Sequence, residues 1–177
     1  MTRWYGAAMT RPLLADAFDH HVWATIRVID ACAALRADQL ETTVPGTFGS
    51  ILDTLRHTVG ADAGYLSLLS GGRVPEIDEA TMDLAALRAT MERHGPVWSA
   101  LLDRDLDPDA SSTRHRDDGS TSTAPLGVRI AQVIHHGTDH RSQVCTGLTS
   151  LGVTSPEIDV WDLADSQGRL AETPATT

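Results

Sequence analysis

The chain has 177 residues, 41% of them hydrophobic, with 24 acidic against 14 basic side chains and a formal net charge of −10. That length suffices for one domain with a real core, and the apolar content excludes a disordered chain. The acidic balance, with a pI of about 5.1, argues against nucleic-acid or anionic-membrane partners, because phosphate binding needs a basic patch. No apolar run approaches the ~18–20 residues that span a bilayer, and no apolar stretch of a secretory signal follows Met1-Thr2-Arg3-Trp4-Tyr5. Cys32 and Cys145 lack CxxC spacing, so two buried thiols in a reducing cytoplasm are expected. All 14 basic residues are Arg, which points to GC-rich codon usage and not to chemistry.

Residues 1–11 read as a flexible arm. A first helix is predicted over 12–35, where Pro12 suits a first turn and Leu14, Phe18, Val22, Thr25, Ile29 and Cys32 share one broad face. His21 falls within that face, as a satisfied core histidine or as a ligand. Trp23 and Arg27 point elsewhere, toward a second helix or a partner chain. Pro45-Gly46 marks a turn. Ser50 followed by Asp53 reads as an N-cap with an acid in the first turn, opening a second helix over 51–69. Ile51, Leu55, Val59, Leu66 and Leu69 form its aliphatic face; His57, Gly60, Ala61 and Gly64 lie opposite. A helical glycine costs about 1 kcal/mol relative to Ala, so Gly60 and Gly64 call for a packing reason: a close backbone, or space for a ligand.

Ser70-Gly71-Gly72 ends that helix. A third is predicted over 81–102, with Leu84, Leu87, Met91, Trp98 and Leu101 as core residues and Gly95-Pro96 as a kink or interruption. His94, beside the break, is read as incidental. Residues 103–124 are polar, and Asp118-Gly119 signals a hairpin, with His115 solvated on a short ribbon. Pro125 suits the first turn of the last long helix, over 125–151, which Gly152 ends. Ser155-Pro156-Glu157 opens a short fifth helix whose Ile158 and Trp161 should dock on the rest. Residues 169–177 read as a loose tail. The pattern is all-α: a four-helix bundle over 12–168 with a short extra C-terminal helix and a small hairpin before the last long helix.

The last long helix carries Ile134-His135-His136-Gly137-Thr138-Asp139-His140-Arg141-Ser142-Gln143. At ~100° per residue, Leu126, Ile130, Val133, Gly137, Val144, Leu148 and Leu151 form a core stripe. His136 and His140 lie one turn apart on its edge, whereas His135 and Asp139 face solvent. Residues four apart have Cβ atoms ~5–6 Å apart, so the two imidazoles can converge on one ion. The plainer alternative is two half-buried histidines, each satisfied by a carbonyl. His57, beside small residues, is the best candidate for a third ligand. Asp53, one turn earlier, fits a capping role or an acceptor for the N–H of a ligating histidine. Arg141 falls within the core stripe and must be paired there, with loop carbonyls or a carboxylate, the alternative being a substrate anion; with Asp53 and His21 it is a candidate to support the ligands from behind. Cys145, on the far flank of the stripe, reads as a small apolar filler.

Several stretches together resemble the DinB-like (YfiT-type) superfamily. Trp23-Ala24-Thr25 with Arg27 is similar to its W-A-N pattern. Gly46-Thr47-Phe48-Gly49-Ser50-Ile51 followed by Leu55-Arg56-His57 is similar to the start of its second helix. His136-Gly137-Thr138-Asp139-His140-Arg141-Ser142-Gln143 resembles its H-x-x-x-H-R-G-Q signature, with Ser142 where Gly is usual. The resemblance covers roughly 12–165. It implies an up-down-down-up four-helix bundle, often a homodimer, holding a divalent metal on His57, His136 and His140. Members with known activity include mycothiol-dependent maleylpyruvate isomerase and bacillithiol transferases; many others are described only as metal-dependent hydrolases.

Three neutral imidazoles supply no charge and leave a coordination position open, the pattern of a catalytic site. Zn²⁺ and Ni²⁺ both accept imidazole. The leading expectation is therefore a cytoplasmic metal-dependent enzyme acting on a small molecule, a thiol S-transferase or isomerase with a mycothiol-type cosubstrate. A hydrolase is the alternative within the class. A non-catalytic bundle braced by its metal is the rival, favoured if His21 or Asp53 closes the fourth position.

Overall fold

The computed structural model describes residues 11–116, 118–171 and 173. All but Arg11 of the expected N-terminal arm, and residues 172 and 174–177 of the expected tail, lie outside the described residues. The protein is predominantly helical: α1 (Ala15–Cys32), α2 (Ala37–Leu40), α3 (Ile51–Ser70), α4 (Leu84–Leu102), α5 (Leu126–Ser150) and α6 (Val160–Ser166), with strands β1 (Ser111–His115) and β2 (Thr121–Pro125) before α5. The strands form an antiparallel ribbon in which Thr113 faces Thr123, as the Asp118-Gly119 turn signal requires.

Each long helix starts or stops for a local reason. The Ser50 hydroxyl accepts from the Asp53 N–H at the start of α3, and Gly71 ends it in the left-handed conformation at φ 69°, which a side chain would strain. Asp83 caps α4 in the same way as Ser50 caps α3. Of the kink or interruption expected at Gly95-Pro96, the interruption does not occur: α4 runs on to Leu102 with Pro96 inside it. Proline removes one helical hydrogen bond, but the buried side chains flanking it, His94 and Trp98, both bond Asp62 of α3 and hold the helix together across that gap. The short C-terminal helix also differs from expectation. It begins at Val160, not near Ser155, because Asp159 caps it, accepting from the N–H groups of Trp161 and Asp162. Trp161 stays 68% exposed, while Leu163 buries itself at 4%.

α1 and α3 each pack against both α4 and α5. The apolar residues between them fall into two clusters. One contains Val28, Ile29, Ile51, Leu55, Val59, Leu87, Met91, Val144 and Leu148. The other contains Phe18, Leu66, Trp98, Leu101, Ile130 and Val133. Between the two on every long helix sits a buried polar or small residue: His21 on α1, Asp62 on α3, His94 on α4, and Gly137 with Arg141 on α5. The interior is thus two apolar layers separated by a polar one.

The C-terminal segment straps onto α1. His20 Nε2 meets the Ile158 carbonyl at 2.7 Å, and Arg27, lying over the Trp23 ring, donates to the Glu157 carbonyl at 3.1 Å. Arg169, at the start of the expected tail, forms a bidentate pair with Asp16 at 2.6 and 2.8 Å.

Candidate metal centre

α3 and α5 pack against each other, and at that seam His57 meets His136 and His140. His136 Nε2 is 3.1 Å from His57 Nε2 and 3.1 Å from His140 Nε2. One nitrogen from each ring lies within 4.8 Å of the others. A tetrahedral ion bound at 2.0–2.1 Å separates its nitrogen ligands by about 3.3 Å, so the spacing suits a shared ion. The three rings pack edge to face, with centroids 4.4 to 4.9 Å apart. His135 and Asp139 point to solvent, as the helical wheel requires.

Burial favours the neutral form of two of the three imidazoles. Burial, followed by His140 and His57, pushes His136 down to about 4. Burial and then His140 lower His57 as well. Neutral imidazole is the form that binds metal.

The nitrogens facing away from the centre have neighbours of their own. His140 Nδ1 lies 3.0 Å from Gln143 Oε1, which also accepts the Phe48 N–H at 2.9 Å. His57 Nδ1 lies 3.8 Å from Glu79 Oε2, and burial raises the Glu79 carboxyl against the pull of Arg114. Gly60 makes room for Glu79: a Cβ at that position would overlap the carboxylate. Gly64, one turn on, lies 3.6 Å from the Arg114 guanidinium measured from the same ideal Cβ position. The small face of α3 therefore receives two side chains of opposite charge. Phe48 stacks flat on His57 at 4.1 Å and 9°, and meets His140 edge-on at 5.4 Å.

Three other expected residues are not in the ligand group. Asp53 Oδ2 accepts from the Ser50 hydroxyl at 2.8 Å, and its carboxylate is 3.9 Å from Arg56; it belongs to the helix cap. His21 and Arg141 are in the polar layer. Arg141 Nη1 donates to His21 Nδ1 and to Thr25 Oγ1, each at 3.1 Å, and Nη2 donates to Thr138 Oγ1. Guanidinium has no acceptor, so His21 carries its proton on Nε2 and donates to Asp62 Oδ1 at 2.9 Å. His94 Nδ1 and Trp98 Nε1 complete the Asp62 set at 2.5 and 3.0 Å. Burial pushes the Asp62 carboxyl up, but the bonds from His21 and His94 outweigh it and leave it at about 2. The Asp62 charge is balanced by Arg141, which burial lowers to about 10. Asp62 and His94 carry no sequence signal that separates them from ordinary helix residues; Glu79 opens a single 3₁₀ turn, Glu79–Thr81, whose only local signal is its Asp78 cap.

A cavity of about 370 Å³ adjoins the centre, lined by Phe48, Gly49, Asp53, Arg56, Glu79 and Ala80. Two larger clefts of about 640 Å³ run along α1 and α5, and neither includes Phe48 or Glu79, the two residues that join the smaller cavity to His57. Clustered imidazoles locate the chemistry better than volume does.

The class is a predominantly helical protein with three histidines placed so that they could hold a metal ion. The sequence profile of the DinB family matches residues 9–174, so the chain belongs to that family. Comparison with curated proteins finds no match.

Proposed function

We propose that the protein is a metal-dependent enzyme in which His57, His136 and His140 hold one divalent ion, Zn²⁺ or Ni²⁺, through their Nε2 atoms. The observation that carries the reading is the ligand group itself. Among the described residues it contains three imidazoles and no fourth His, Cys, Asp or Glu. His21 and Asp53, the two residues able to close a fourth position, are committed to Asp62 and Ser50. An open position supports catalysis over a structural brace.

A divalent ion at this point would act as a Lewis acid, lowering the pKa of a coordinating thiol or water. The chain's own residues orient and shield. Glu79 and Gln143 lie against the outer nitrogens of two histidines, Phe48 covers the His57 ring, and Arg141 anchors α5 from within. Neither cysteine is the nucleophile: burial raises Cys145 and pushes Cys32 to about 12. The reaction is transfer of a low-molecular-weight thiol of the mycothiol type to a small electrophile, or a related isomerisation, carried out by a cytoplasmic homodimer. Leu13, Val160 and Trp161 offer exposed apolar surface for such a dimer. The long helices form an up-down-down-up bundle. In support, α1 and α5 pass from the Phe18 cluster to the Val28 cluster, whereas α3 and α4 pass the other way.

The test is an electrophile panel assayed with mycothiol, with glutathione and without thiol. Turnover that requires thiol, survives Cys145→Ser and is abolished by His140→Ala is the expected result. Turnover without thiol makes the protein a hydrolase, and turnover under none of the three conditions makes the centre a brace.

A further inference from the structure

Gln143 sits one turn beyond His140 on α5 and is half-buried. Its Oε1 lies 2.9 Å from the Phe48 backbone nitrogen and 3.0 Å from His140 Nδ1. A backbone N–H can only donate. That fixes the amide orientation, because the flipped amide would set its NH₂ group against another donor. With the oxygen so placed, His140 must carry its proton on Nδ1, since a lone pair there would face a lone pair. His140 Nε2 is then an acceptor, and it is the atom 3.1 Å from His136 Nε2. The same oxygen holds the loop whose aromatic ring stacks on His57 and touches the edge of His140.

We propose that Gln143 is a positioning residue that sets the tautomer of His140 and ties the Phe48 loop to it, so that a ring nitrogen lone pair and its aromatic cover are presented together. The inference rests on the three-histidine reading for its purpose but not for its geometry. A histidine free to carry its proton on Nε2 must rearrange before it ligates. Partners that fix the tautomer typically change metal affinity by about 10–100-fold when removed.

The test uses the full chain, ¹⁵N-labelled, with Gln143→Leu and Gln143→Glu. Leucine fills the site but accepts nothing; glutamate accepts from both donors. Imidazole nitrogen shifts of the metal-free wild type should report His140 protonated on Nδ1. Gln143→Leu should shift that signal toward the Nε2-protonated form and speed hydrogen exchange at the Phe48 amide. It should also weaken Zn²⁺ binding, measured by competition with a chromophoric chelator, by about 10–100-fold. Gln143→Glu should restore the tautomer and the amide protection. Wild-type His140 protonated on Nε2 would overturn the proposal. So would a folded Gln143→Leu with unchanged tautomer and Phe48 exchange. Failure of the wild type to bind Zn²⁺ would refute the metal reading instead, leaving the metal-free measurements to judge Gln143.

Discussion

His136 is the residue on which the centre turns, because its Nε2 touches both of the others. Elemental analysis of the purified protein should find about one divalent ion per chain, since three convergent imidazoles form one site. His57→Ala, His136→Ala and His140→Ala should each lose most of it; unchanged content in all three would remove the assignment. Acid should release the ion, because protons compete for the same nitrogens. Histidine ordinarily titrates near 6.5, and here His136 is held at about 4, with His57 lowered too. Occupancy should therefore hold at neutral pH and fall as pH drops from about 6 toward 4. Dialysis at stepped pH followed by metal analysis measures this, and full retention at the lower limit would mean a different ligand set.

At the scale of the helices, the polar layer makes the four long elements interdependent. Asp62 of α3 takes hydrogen bonds from α1 and α4, and His21 passes the contact on to Arg141 of α5. Asp62→Ala would strand three buried donors and leave Arg141 without its counter-charge. Breaking a buried charged group in this way costs about 3–5 kcal/mol, which denaturant titration should read directly. Gly137 has a related constraint. A Cβ there would sit 2.5 Å from His21 Cε1 and 2.9 Å from Arg141 Nη1, both fixed by their bonds. Gly137→Ala should cost about 1–3 kcal/mol, as overpacking does, and weaken metal binding by shifting α5. Gly60→Ala is the milder case. It displaces Glu79, a partly exposed side chain on a turn, so stability should change less than in Gly137→Ala.

For the whole molecule, the same groups set how stability follows pH in the absence of metal. The His136 pKa is about 4 folded against 6.5 in the unfolded chain. Between those values the unfolded chain binds a proton that the folded one refuses, so stability falls as pH falls through that window. One such proton is worth at most ~1.4 kcal/mol per pH unit, less here because the ring is only half-buried. Asp62 acts lower down. Its carboxyl is held at about 2 against 3.8, so its contribution is present above 3.8 and is lost on descending from 3.8 to 2. Urea midpoints of metal-free His136→Gln should flatten the upper limb of this loss and leave the lower one. Equal slopes in both proteins would show that His136 titrates normally.

The sequence by itself determined what depends on local geometry. A 3.6-residue period marks the four long helices and puts His136 and His140 on one edge of α5, because residues four apart are neighbours in any α-helix. Ser50 announces its cap and Asp118-Gly119 its hairpin, since both are matters of a few adjacent residues. Only the tertiary structure decided which distant groups meet. His57 reaches His136 across 79 residues because of how α3 is rotated against α5, an angle that no short window of sequence encodes. His94 looked incidental and Asp62 unremarkable, for a buried charge differs from a solvated one only in its surroundings, and theirs come from three other helices. Trp161, expected to dock, stayed outside and Leu163 went in because a cap at Asp159 set the phase of α6, which the apolar pattern alone does not fix.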